Sequence, residues 1–132
     1  MNKSKGYRDL IVYQKAFALA MKVFQVTKKF PKEEMYSLVD QMRRSSRSVC
    51  SCIAEAYRKR HYQAYFVNKI SDADGENSET IVWLEFSLAS NYITSEEEQE
   101  MESAAEEVGR MLNGMLANPE KFLPKEKQIQ EA

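Results

Sequence analysis

The clearest chemistry in this chain belongs to three arginines on one helix face. In the stretch from Gln41 to His61, QMRRSSRSVCSCIAEAYRKRH, helical spacing puts Arg44, Arg47 and Arg58 within about 60° of arc. A guanidinium is permanently charged and presents a planar fork of donors that matches a phosphate. On the far side Leu38, Val39, Met42, Val49, Ile53 and Tyr57 recur at i, i+3, i+4 and i+7, the pattern of a helix with one face in a core. Burial of that side leaves the arginines outside. A second reading of the same residues is an ordinary solvated face. Asp40 precedes Arg44 by four positions and Glu55 precedes Lys59 by four, the spacing of neutralising pairs within one helix.

Other chemistries find little support. The single histidine, His61, stands among Arg58, Lys59 and Arg60, where positive charge makes a poor setting for a general base. Asp72, Asp74, Glu76 and Glu79 form the densest carboxylate set. A di-metal site in a bundle would need Glu-x-x-His pairs, and the chain has none. Cys50 and Cys52, two apart on a helix, point about 160° away from each other, so they suit packing better than a disulfide or zinc. No glycine-rich phosphate loop or nucleophile elbow is present. The expectation is a non-enzyme with no catalytic residue, metal, cofactor or small-molecule substrate.

Four helices must position the arginines. The first is expected from about Asp9 to Lys28, ended by Phe30-Pro31. It carries two apolar stripes side by side: Leu10, Tyr13, Phe17, Ala20 and Phe24; and Val12, Ala16, Leu19, Val23 and Val26. Together they span about 200°, more than one core face requires. The second helix is expected to start directly after Pro31, with Glu33 and Glu34 in its first turn, and to reach Lys59 or Arg60, about 40 Å. The third runs from about Tyr65 to Ser90, with Phe66, Ile70, Ala73, Asn77, Thr80 or Ile81, Leu84 and Leu88 inward. Gly75 within it suggests close approach of a neighbouring backbone. The fourth opens on the capping signals Thr94/Glu97 and Ser95/Glu98 and ends at Asn118-Pro119.

This gives an all-α, antiparallel up-and-down four-helix bundle at 9–118, an N-terminal arm at 1–8 and a C-terminal tail at 119–132. Phe122 and Leu123 are candidates to dock back, and the last eight residues are expected to be frayed or unstructured. The surplus apolar surface on helices one and three calls for cover by another subunit. Val12, Leu19, Val26, Trp83 and Phe86 are the residues expected there.

Of the chain's 132 residues, positions 1–69 hold 15 Lys/Arg and 5 Asp/Glu, whereas 70–132 hold 4 and 15. Such a split points to an anionic partner for the first half, or to pairing of the halves within a bundle or between subunits. With no signal peptide and no long apolar span, a cytoplasmic protein is expected, with no membrane partner.

The motifs DLIVYQKA at Asp9 to Ala16, FPKEEMYSLVDQMRR at Phe30 to Arg44, SVCSCIAEA at Ser48 to Ala56 and ADGENSE at Ala73 to Glu79 resemble one family. It is that of the four-helix bundle proteins encoded in intervening sequences of bacterial large-subunit ribosomal RNA genes. The likeness runs from about Asp9 to Leu123. It departs from the family's pattern at Cys52 and Ala56, where an asparagine and a glycine are usual, and at Glu76, where a serine is usual. The resemblance implies an antiparallel bundle assembled as a homopentameric ring. It also points to a relative, the accessory protein of diversity-generating retroelements, which binds nucleic acid and a reverse transcriptase. Charge and resemblance together give a non-catalytic oligomer that contacts the phosphates of RNA or DNA, with structured RNA the expected ligand, through Lys15, Lys22, Arg44, Arg47, Arg58, Lys59 and Arg60. The alternative is a protein-interaction scaffold whose basic face meets an acidic protein or a neighbouring subunit.

Overall fold

In the computed structural model, which describes residues 5–124, four helices follow one another: α1 (Ile11–Thr27), α2 (Leu38–Arg58), α3 (Gln63–Ala89) and α4 (Ser95–Ala117). α1 packs against α2 and α4, and α3 packs against the same two, so α1 and α3 lie diagonally across a four-helix bundle. Short connections force consecutive helices to run antiparallel.

Each helix buries the stripe its periodicity marks. α1 contributes Val12, Ala16, Leu19, Val23 and Val26; α2 Val39, Met42, Val49 and Ile53; α3 Phe66, Ile70, Ala73 and Leu84; α4 Met101, Ala105, Val108, Leu112 and Met115. Burying a side chain such as Phe66 or Leu84 is worth about 1.5–3 kcal/mol. The interior divides into two apolar clusters. Buried polar groups also join the helices: Ser45 and Thr80 share a hydroxyl hydrogen bond of 2.8 Å, and Asn77 Nδ2 donates to the Ala105 carbonyl at 2.8 Å. A Cβ on Gly109 would stand 3.3 Å from that amide, so this glycine lets α3 and α4 close up there. Gly75 does not serve that purpose. It is exposed, and a Cβ added to it would meet nothing within 4 Å.

Three helix starts differ from expectation, that of α3 by falling at Gln63 instead of about Tyr65. α1 begins two residues later than Asp9, because Gly6–Asp9 forms a separate 3-10 turn. α2 begins at Leu38, after a 3-10 turn over Lys32–Glu34. The Glu34 carboxylate accepts from the Ser37 hydroxyl (2.6 Å) and from Tyr92 (2.8 Å), tying this connection to the α3–α4 turn. Its 21 residues therefore reach about 32 Å, not 40 Å. α3 ends without glycine. Asn91 takes φ 62°, Asn91 N–H bonds the Leu88 carbonyl and Tyr92 N–H bonds that of Ser87, a Schellman motif. α4 opens with the expected Thr94/Glu97 capping box.

The described residues on either side of the four helices fold onto the bundle. Tyr7 packs edge-on against Tyr13 at 5.0 Å, Phe122 stacks on Phe66 at 5.6 Å, and Leu123 is buried. The packed body thus extends past 9–118 on both sides, while the expected fraying of the last eight residues concerns positions outside the described ones. Among the described residues no helix is long and apolar enough to cross a membrane.

Candidate nucleic-acid interface

Burial of Met42, Val49 and Ile53 turns the opposite side of α2 outward, and Arg44, Arg47 and Arg58 are all exposed there. What holds them differs from one to the next. Arg44 meets Asp40 at 3.4 Å, the one pair of the solvated-face reading that forms. Arg47 lies 5.7 Å from the centre of the Phe24 ring, which also carries Arg43 at 4.7 Å and Lys28 at 4.7 Å. Arg43 Nε also donates to Thr27 Oγ1 at 2.9 Å. An aromatic face attracts a cation without neutralising it, so Phe24 orders positive groups and leaves their charge available. Arg58 makes no ion pair or hydrogen bond among the described residues.

The second expected pair on α2 is replaced. Glu55 turns away from Lys59 to bind Lys69 of α3 at 3.1 Å and to accept from Tyr65 OH at 3.4 Å. Lys59 instead lies over the Tyr65 ring at 4.8 Å, and Arg60 over Tyr57 at 4.1 Å while donating to the Tyr57 carbonyl. The end of α2 therefore keeps two cations, Lys59 and Arg60, held by rings and a carbonyl rather than by carboxylates, beside Arg58. A shallow trough of about 590 Å³ runs along the helix, bounded by Met35, Arg43, Arg44, Arg47, Ser48 and Ser51.

Lys15 and Lys22 are not part of this surface. They lie on the other side of α1, facing α4. Lys15 pairs with Glu107 at 2.9 Å, Lys22 with Glu100 at 3.9 Å and Lys29 with Glu97 at 3.2 Å, a ladder joining the basic and acidic halves inside one chain. The Lys15 bond holds the Glu107 carboxyl below its ordinary range. The Thr94 backbone N–H, then Lys29, does the same for Glu97. Of the seven expected phosphate contacts, five remain on the α2 side and two are spent on α4.

The expected subunit-facing residues also divide. Val12, Leu19 and Val26 are 3%, 6% and 4% exposed, and so belong to the chain's own core, where they pack toward α2, α3 and α4. The large apolar residues that α1 leaves outside are Phe17, from its other stripe, and Ile11 and Met21, from neither; Phe17 and Met21 lie beside Arg47 of α2. On α3, Trp83 is half-buried with its indole N–H donating to Glu79 at 3.3 Å, while Phe86 and Val82 are exposed.

Burial pushes the Cys50 thiol up to about 11 and raises that of Cys52, so neither is a thiolate near neutral pH, and both are free. His61 packs against Tyr62, ring centres 4.2 Å apart and planes tilted by 44°. Burial, with Glu79 and Asp72 nearby, raises the Glu76 carboxyl, and Asp72 lies 4.0 Å from Lys69. Among the described residues no three His, Cys, Asp or Glu side chains gather as metal ligands.

None of the curated proteins compared matches the chain. A structure from Bacteroides thetaiotaomicron, described as a protein with unknown function from the S23 ribosomal protein family, is 26% identical and superposes with a TM-score of 0.73. The alignment covers 80% of this chain and 98% of that one, so the bundle is shared almost whole. The family model for the 23S rRNA-intervening sequence proteins matches residues 8–114, from the start of the first 3-10 turn's arginine to the last turn of α4. On this match over most of its length, the chain belongs to the 23S rRNA-intervening sequence protein family.

Proposed function

We propose that this protein is a non-catalytic RNA-binding bundle that grips phosphates with the outward face of α2. The observation that carries the reading is the way the cations are held: Arg47, Arg43 and Lys28 gather on Phe24, and Arg58 is free of carboxylates among the described residues. The ladder on the other side of α1 supports it from the opposite direction. It uses up the lysines that would make the whole basic half a diffuse attractor, and leaves one face positive. Phosphate contacts position a nucleic acid without reading its sequence, so the reading is of a backbone grip. The test is a binding titration of a labelled RNA between about 50 and 200 mM salt. Affinity falls steeply as counterions are released, and Arg47→Glu with Arg58→Glu flattens the slope by about two. Absence of binding at the lowest salt sinks the proposal.

A second reading, an assembly of identical chains, is favoured by a different observation. Phe17 and Met21 on α1 and Val82 and Phe86 on α3 are exposed apolar residues on diagonally placed helices. Two unlike patches on opposite sides make a head-to-tail contact, which repeats until a ring closes. Five copies, as the family resemblance implies, would multiply weak phosphate contacts into avidity. Native mass measurement of the wild type beside Phe86→Asp tests it: a ring that falls to single chains supports the contact, and a wild type already monomeric removes it.

A further inference from the structure

Beyond the grip on phosphates, the two ends of α2 carry groups that suit bases. Before its first turn, in the connection that Glu34 pins to Tyr92, Tyr36 is 91% exposed and its neighbour Met35 is 51% exposed, although both are large side chains. Met35 lines the same trough as Arg43, Arg44 and Arg47. Beyond its last turn Tyr62 is 61% exposed with its ring against that of His61, the two planes tilted by 44°, close in sequence to Arg58, Lys59 and Arg60. The hydroxyls of Ser48 and Ser51 lie between the ends. An exposed tyrosine presents an apolar ring to water and is retained at no benefit to the core. Placed at each end of a basic stripe, it has the composition of a surface for unpaired nucleotides, where arginines track the backbone and ring faces take the bases.

Duplex RNA offers such rings nothing, because its bases are stacked inside the helix and its shape is read through phosphates and 2′-hydroxyls. We infer that the nucleic acid taken by this face is single-stranded RNA, with phosphates on Arg44, Arg47 and Arg58 and bases stacked on Tyr36 at one end of α2 and on the His61–Tyr62 pair at the other. α2, whose 21 residues lie between the tyrosines, reaches about 32 Å, the length of about nine nucleotides at stacked spacing. This inference rests on the RNA-binding reading above and narrows it to one form of RNA.

The test uses the full chain and two probes, a labelled oligouridine of that length and a blunt RNA duplex of the same number of base pairs, both at about 50 mM salt. The oligouridine binds more tightly than the duplex. Tyr36→Leu and Tyr62→Leu, which keep apolar bulk, each weaken oligouridine binding about 10-fold and leave duplex binding unchanged, while Tyr36→Phe retains the wild-type affinity. Equal affinity for both probes with no effect of either leucine overturns the single-strand assignment; if Arg47→Glu with Arg58→Glu still abolishes binding in that assay, the phosphate grip stands without it. Failure of both probes to bind overturns the phosphate grip and this inference together. A native mass that changes on Tyr36→Leu assigns that tyrosine to a contact between copies, and overturns its role as a base platform.

Discussion

The two sides of α1 make opposite use of the same kind of residue. Toward α4, Lys15, Lys22 and Lys29 each meet a glutamate, and the charge is cancelled within the chain. Toward α2, Lys28 shares the Phe24 ring with Arg43 and Arg47, and the charge is ordered but not cancelled. Exposed ion pairs of the first kind contribute little to stability because water screens them. Their larger effect is on where the net charge of the molecule appears. A chain with an overall charge of −1 thereby presents one positive face.

Charge reversal on each side in turn should give the largest effect. Arg47→Glu with Arg58→Glu is expected to weaken RNA binding about 100-fold at low salt, whereas Lys15→Glu with Lys22→Glu changes it less than about 3-fold and instead lowers the thermal midpoint. Similar losses from both pairs would break the distinction between the two sides. Next in size is the cap that anchors the ladder. Thr94→Ala removes the hydroxyl that accepts from Glu97 N–H at 3.0 Å, and is expected to cost about 1 kcal/mol in urea unfolding without altering RNA affinity. A smaller effect belongs to Phe24→Leu, which keeps apolar bulk but removes the ring. Loss of the cation–π contacts should weaken RNA binding about 3-fold with Arg47 itself intact.

The smallest effect is a pH dependence confined to the ladder. Glu107 and Glu97 are held below the ordinary glutamate range, so the folded state binds fewer protons there than the unfolded chain. Their contribution is present above about pH 4.3 and lost as pH falls through their lower folded values. Glu76, raised by burial, and Glu102, raised by hydrogen bonding with Glu98, titrate in the opposite sense, so the wild-type curve is a composite. The difference between wild type and Lys15→Gln isolates the Glu107 rung of the ladder. It is expected in full at pH 6 and shrinks as pH falls below about 4.3, as urea midpoints over that range would read.

Much of this was legible in the residues. The interior of α2 follows directly from Val39, Met42, Val49 and Ile53, and the exposure of Arg44, Arg47 and Arg58 follows from the same period. Phe122 and Leu123 dock as their isolated apolarity suggested. The choice between the two stripes of α1 was not legible, since Val12, Leu19 and Val26 are as apolar as Tyr13, Phe17 and Phe24. The Schellman turn was missed because Asn91 carries a signal much weaker than glycine. Tyr36 could have been found as an aromatic in a short polar connection, but only its 91% exposure separates it from a residue folded back on the core.

What the sequence determined by itself is whatever depends on neighbours three or four residues away: four amphipathic helices, the Thr94/Glu97 cap and a helix with arginines opposite its buried side. Those interactions are local, so spacing along the chain specifies them. What only the tertiary structure decided is the partner of each surface stripe. Whether Lys15 meets a glutamate and Arg47 an aromatic ring depends on which helix lies on which side of α1 and at what offset. That is set by packing among residues up to about ninety positions apart, as between Lys15 and Glu107, and no period in the chain encodes it.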